Sequence, residues 1–139
     1  MEITGILVTI GVLILLGLCW FGFHYWANPP MQGPDSIARV TGNCGDTMEI
    51  SLKFEGDKVS GVHHWTDGCS VSQQCIAGVA LLARGKSCEQ LKKVTMMDIM
   101  ELVGQLPDSH LHCAQLAETT LQRALGDYEL QEEGGVKVK

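Results

Sequence analysis

Three short motifs place reactive side chains where the hydrophobic pattern breaks: Cys44-Gly45-Asp46, Asp67-Gly68-Cys69 and His112-Cys113. Three thiols and one imidazole are donors suited to Zn²⁺ or an iron–sulfur cluster, and Asp46 adds a harder, more labile oxygen. Cys69 and Cys113 each stand where a helix is predicted to begin, and the positive end of a helix dipole favours thiolate over thiol. Thiolates ligate metals and attack sulfur. Glycine beside Cys44 and Cys69 permits turns closed to other residues, which aims the side chains. Because no CxxC pair is present, spacing alone leaves two readings open: one shared metal or sulfur site, or separate buried cysteines.

The cysteine count bears on the compartment. Of the six, Cys19 falls in an apolar segment, leaving Cys44, Cys69, Cys75, Cys88 and Cys113 in the polar part. An odd number makes a poor disulfide framework, so reduced thiols and a cytoplasmic location are expected. The chain carries a net charge of −6, and every acidic residue but Glu2 lies beyond the apolar segment. With no basic run, a nucleic-acid ligand is excluded on charge.

Elements must hold these motifs in place. In Met48, Ile50, Leu52 and Phe54, apolar residues alternate with Glu49, Ser51, Lys53 and Glu55, the period of a strand with one buried face. Ile37 to Thr41 predicts a strand before it. Glu55-Gly56-Asp57-Lys58 predicts a turn into a third strand, Val59 to Thr66. From Ser70 to Ala83 the spacing of Val71, Cys75, Val79 and Leu82 changes to that of a helix. Ser87 with Gln90 predicts a capped short helix to about Val94, and Thr95 caps Met96–Val103. Gln105-Leu106-Pro107-Asp108 interrupts. A last helix is expected from about Cys113 to Leu125, with Leu116, Ala117, Thr120, Leu121, Ala124 and Leu125 facing inward and Gly126 ending it. Strands followed by helices give an α+β fold, a small three-stranded antiparallel sheet packed against helices.

Before this domain, Ile3 to Phe23 is uncharged and, at about 1.5 Å per residue, long enough for a hydrocarbon core of about 30 Å. Trp20, Phe21, Phe23, Tyr25 and Trp26 gather at its end like an interfacial aromatic belt, and Asn28-Pro29-Pro30 stops the helix. A cleaved signal peptide would want a basic start and a small-residue cleavage site, and neither is present. The expected organisation is a transmembrane anchor over 1–26, a Pro-rich linker over 27–36, a domain over 37–126 and a loose polar tail over 127–139. The reduced thiols place the domain on the cytoplasmic side of a single-pass membrane protein.

The run GNCGDTMEISLKFEGDKVSGVHHWTDGCSVSQQCIAGVALLARGKS, followed by SHLHCAQLAETTLQRAL, resembles the iron–sulfur scaffold family of IscU and the NifU N-terminal domain. The resemblance spans about residues 31–126 and keeps CGD, TDGC, ARGKS and HCAQLAE in order. It implies that Cys44, Asp46, Cys69, His112 and Cys113 hold a [2Fe–2S] cluster during its assembly from ferrous iron and persulfide sulfur. Such a protein is a scaffold and not an enzyme. Its implied partners are a cysteine desulfurase, an electron donor such as a ferredoxin, and recipient apo-proteins. Cys113 is the first choice for persulfide acceptor and Cys69 the next, while Asp46 keeps the cluster exchangeable. Where the family has LPPVK, this chain has Leu106-Pro107-Asp108-Ser109-His110, so the contact with a dedicated Hsp70 is not carried over.

Other reactive residues have plainer roles. Cys75 shares a helix face with Val71 and Val79 and is expected in the core, and Cys88 has no assigned role. His63 and His64 point to opposite faces of a strand. His110 stands near the site as a candidate participant, while Met96, Met97 and Met100 are packing residues. Two other functions compete: a zinc-bound persulfide carrier of SufU type, and a membrane-tethered thiol hydrolase using Cys113. The histidine of His112-Cys113 favours the scaffold, and no nucleophile-elbow motif supports the hydrolase.

Overall fold

The computed structural model describes residues 2–27, 31, 33–104 and 106–134. The chain divides into two compact units, one ending at Pro30 and one beginning at Met31. The first is a single helix, α1, over Glu2–Ala27. Its stretch Ile3–Ala27 has a mean hydropathy of 2.6 and is long and apolar enough to cross a membrane. The predicted helix stop at residues 28–30 lies outside the described residues.

The second unit opens on an antiparallel meander of β1 (Ser36–Thr41), β2 (Thr47–Glu55) and β3 (Lys58–Thr66), in the order β1-β2-β3. Ile50 lies between Ala38 and His64, and Leu52 pairs with Val62. The alternation read in β2 is therefore the pleat of a sheet with one buried face: Met48, Ile50 and Leu52 are inaccessible to solvent. Strand β1 begins one residue earlier than expected, because Ser36 is buried and donates its hydroxyl to the carbonyl of Ala124. The linker read over 27–36 also loses Asp35. Its N–H reaches Leu52 O at 2.9 Å, and its carboxylate accepts from Phe54 N at 2.8 Å.

Helix α2 (Ser70–Ala83) follows β3, then α3 (Cys88–Leu91), α4 (Met96–Val103), a 3₁₀ turn at Asp108–His110, and α5 (Leu111–Gly134). Ser87 and Gln90 form the expected capping box on α3, and the Asp98 carboxylate accepts from Thr95 N at 2.8 Å at the start of α4. Helix α5 packs on β1, β2 and α2. Its predicted inner face, from Leu116 through Leu125, is buried against Ile76, Val79 and Ile50 in one core.

The helix does not end at Gly126, and residues 127–134 are not a loose tail. Tyr128 stacks on Phe54 with ring centroids 3.9 Å apart and planes at 18°, and Glu129 pairs with Lys92 of the segment after α3. These contacts hold the last turns without the apolar periodicity that marks the earlier ones. Residues 135–139 lie outside the described residues.

Candidate metal and sulfur site

The site is assembled where three connections meet. Between β1 and β2, Gly42 N bonds Asp46 O at 2.9 Å and Gly45 N bonds Gly42 O at 3.0 Å, closing a tight loop around Cys44. Gly45 has φ +90°, a left-handed conformation that a side chain resists. The second loop, Asp67 to Cys69, is tied to the first through Thr47. Asp67 Oδ1 accepts from Thr47 N at 2.6 Å, and Thr66 Oγ1 donates to Thr47 O at 2.7 Å. Thr66 Oγ1 also accepts from Gly68 N at 3.1 Å. The third connection, the 3₁₀ turn, leads into α5 and sets His112 and Cys113 in its first turn.

Asp46, Cys69 and Cys113 converge there: one ligand atom from each lies within 4.8 Å of the others. Residues 46 and 69 come from two different connections and residue 113 from the first turn of α5, so only the tertiary fold makes them neighbours. Cys44 and His112 stand outside this triangle. Both line an adjoining groove of about 490 Å³, with Gly42, Asn43, Gln115 and Leu116. Four of the five candidates therefore offer thiol or imidazole donors at one end of the domain, with a carboxylate among them. This fits a thiophilic metal or an iron–sulfur unit better than a hard cation.

A serine that sequence reasoning did not single out links the triangle. Ser72, completely buried, donates to Asp46 Oδ2 at 2.6 Å and lies 3.3 Å from Cys113 Sγ and 3.6 Å from Cys69 Sγ. Its signal was available, because a position three residues after a helix-starting cysteine lies on the same face one turn on. Gly68 makes this packing possible: a Cβ there would sit 2.6 Å from Asp46 Oδ2 and 2.6 Å from Ser72 Cβ.

Helix starts were expected to favour thiolate at both Cys69 and Cys113, and the environment separates them. The exposed Cys69 has its pKa lowered, chiefly by the backbone N–H of Ser72 and then by the Ser72 hydroxyl. Cys113 is buried, and that burial raises its pKa, the Ser72 contact offsetting only part. Negative charge at Cys69, Cys44 and Asp46 pushes it further up. The helix-dipole expectation thus fails for Cys113, because desolvation outweighs it.

The remaining candidates fall as follows. Cys75 is in the core, with burial pushing its pKa up to about 11. Cys88 is half-buried beside Glu129, far along α5 from the site. His110 stacks near His112 with centroids 6.3 Å apart, and its Nδ1 is 2.9 Å from Ser109 Oγ. His64 stands opposite Ile50 in the sheet, and its pKa is lowered first by burial and then by His63 and Arg84.

The profile of the family described as the NifU-like N terminal domain matches residues 25–134. The chain belongs to that family. Within it, the chain is 31% identical over 112 residues to the iron-sulfur cluster assembly scaffold protein IscU 1 of Archaeoglobus fulgidus, covering 76% of this chain and 72% of that protein. It is 32% identical over 96 residues to the IscU scaffold of Aquifex aeolicus, covering 68% and 60%. The fold matches the N-terminal NifU-like protein of Brucella abortus with a TM-score of 0.57 at 18% identity, covering 71% of this chain and 82% of that one. A putative scaffold of the SUF system from Fervidobacterium islandicum matches with a TM-score of 0.56 at 20% identity, covering 68% and 83%. This NifU-like domain is thus of the iron–sulfur scaffold type, with the three-stranded sheet and helices expected of it. The family match begins at residue 25, in the last turn of the long apolar helix α1.

Proposed function

We propose that the domain builds a [2Fe–2S] cluster on Cys44, Asp46, Cys69, His112 and Cys113 and passes it to apo-proteins. The observation that carries this reading is the convergence of Asp46, Cys69 and Cys113, three donors far apart in sequence, within 4.8 Å. Iron and sulfide are the cargo. Sulfur arrives from a cysteine desulfurase: a scaffold thiolate attacks the outer sulfur of the donor's persulfide, forming a new S–S bond as the donor cysteine leaves as thiolate. Two electrons from a donor such as a ferredoxin then cleave the scaffold persulfide to thiolate and sulfide.

Cys113 remains the proposed final acceptor, with Cys69 as the accessible thiol through which sulfur first reaches the site. Cys69 is exposed and Cys113 is not, so Cys113 accepts sulfur only once the site loosens. Cys44 and His112, along the adjoining groove, complete the ligand set as the cluster grows outward. Asp46 holds one iron less firmly than a fourth thiolate would, which favours release.

Helix α1 tethers this assembly to a membrane, with the domain on the cytoplasmic side, where its thiols stay reduced. An impermeant maleimide applied to intact cells should leave the domain's cysteines unlabelled, and labelling from outside would refute this topology.

The decisive experiment supplies ferrous iron, cysteine and a desulfurase to the full chain in detergent under anaerobic conditions. Visible absorption and Mössbauer signals of a [2Fe–2S] cluster are expected, and Asp46→Ala should hold the cluster longer against an apo-ferredoxin acceptor. A second reading, a zinc-bound persulfide carrier, is favoured by one feature: three donors already converge while His112 stands apart. It predicts tightly held zinc and no visible chromophore in the same experiment.

A further inference from the structure

Ser72 is the third residue of α2, a helix anchored by its packing on β3 and α5. Its position is therefore fixed by the core, whereas Asp46 sits on a partly exposed connection between two strands. The serine hydroxyl carries one proton, and the shortest of its contacts is the one it donates to Asp46 Oδ2 at 2.6 Å. The same hydroxyl also lies 3.3 Å from Cys113 Sγ, a second acceptor within its reach, and 3.6 Å from Cys69 Sγ. One buried atom thus touches every member of the triangle.

No other described side chain has hydrogen bonds to all three. Gly68 confirms that the arrangement is built: the space a Cβ would take there is shared by Asp46 Oδ2 and by Ser72 Cβ and Oγ, the last at 2.8 Å. The Asp46 carboxylate has a second oxygen, so it can keep the bond to Ser72 through Oδ2 while Oδ1 takes a metal. Hydrogen bonding and ligation are compatible at this residue.

We infer that Ser72 is the positioning residue of the site, holding the Asp46 carboxylate against Cys69 and Cys113 before iron arrives and keeping its Oδ2 once iron is bound. This rests on the reading that the triangle takes iron. Partners that orient metal ligands in this way are typically worth about 10–100-fold in metal affinity, and that range sets the expected effect.

The test uses Co²⁺ as an optical probe for iron in the full chain in detergent. Wild type is expected to give sulfur-to-cobalt charge-transfer bands. Ser72→Ala should bind Co²⁺ about 10–100-fold more weakly and keep those bands, with altered ligand-field bands because the carboxylate has drifted. In the Asp46→Ala background, adding Ser72→Ala should change affinity little further, since the serine acts through the carboxylate. Ser72→Thr, which retains the hydroxyl, should recover most of the binding, and it replaces the alanine variant if that one melts too low to titrate. Unchanged affinity in Ser72→Ala, or an equal loss with and without Asp46, overturns the inference while leaving the scaffold reading intact. Absence of thiolate–cobalt bands in wild type overturns both.

Discussion

Gly68→Ala is the sharpest perturbation of the site that leaves every candidate ligand in the chain. The added methyl would lie 2.6 Å from Asp46 Oδ2 and 2.6 Å from Ser72 Cβ, nearly an ångström short of ordinary contact (about 3.4 Å). Ser72 Cβ belongs to a packed helix and cannot retreat far. Asp46 Oδ2 is the end of a side chain and can. The carboxylate therefore turns away, the bond it accepts from the Ser72 hydroxyl is lost, and that hydroxyl stays buried. Losing a charge-assisted bond costs about 1.5–3 kcal/mol and overpacking about 1–3 kcal/mol, so the total is about 2.5–6 kcal/mol. For a domain of this size, such a loss lowers Tm by on the order of 15 °C. Thermal unfolding of the full chain in detergent, followed by circular dichroism, reads the change, and Co²⁺ titration of the folded variant should show weakened binding. Gly126→Ala is the internal control: nothing lies within 4 Å of its added methyl, and it falls inside α5. Replacing a mid-helix glycine should stabilise by about 0.5–1 kcal/mol. If Gly68→Ala melts and binds cobalt like wild type, the close-packed cradle of Asp46 and Ser72 is refuted.

Other outcomes follow from the same geometry. Tyr128→Ala should destabilise the domain by about 1–2 kcal/mol in urea unfolding, through loss of the 3.9 Å stack on Phe54, while leaving cobalt binding unchanged. Iodoacetamide should modify Cys69 well before Cys113 in the metal-free chain, as peptide mass spectrometry can follow. The pH dependence has a definite sign: the lowered pKa of Cys69 brings its reaction on at lower pH than for an ordinary thiol, whereas Cys113, raised by burial, and Cys75, at about 11, need higher pH. Alkaline extraction of membranes should leave the full chain in the pellet, and deleting residues 2–27 should release it to the supernatant.

Much of the fold is legible from residue order because the relevant forces are periodic. Alternation in β2 and three-to-four spacing in α2 and in α5 up to Leu125 mark which side of each element meets the core. The caps at Ser87 and Thr95 are equally local, since both partners lie within four residues. The end of α5 is not. Tyr128 and Glu129 hold it through Phe54 and Lys92, residues tens of positions away, and nothing near Gly126 announces those partners.

The site divides along the same line. Residue types and motif order by themselves determined that thiols, an imidazole and a carboxylate stand at element ends, and the family match bears out the scaffold resemblance that the motif order carried. Which donors meet was decided by tertiary structure: the ties from Thr66 and Asp67 to Thr47 bring Asp46 to Cys69, and the packing of α5 on α2 brings Cys113 to both. The unequal thiols were decided there too. Helix dipoles act locally and would treat Cys69 and Cys113 alike, but desolvation depends on everything packed around a sulfur, and only the assembled domain buries one and exposes the other.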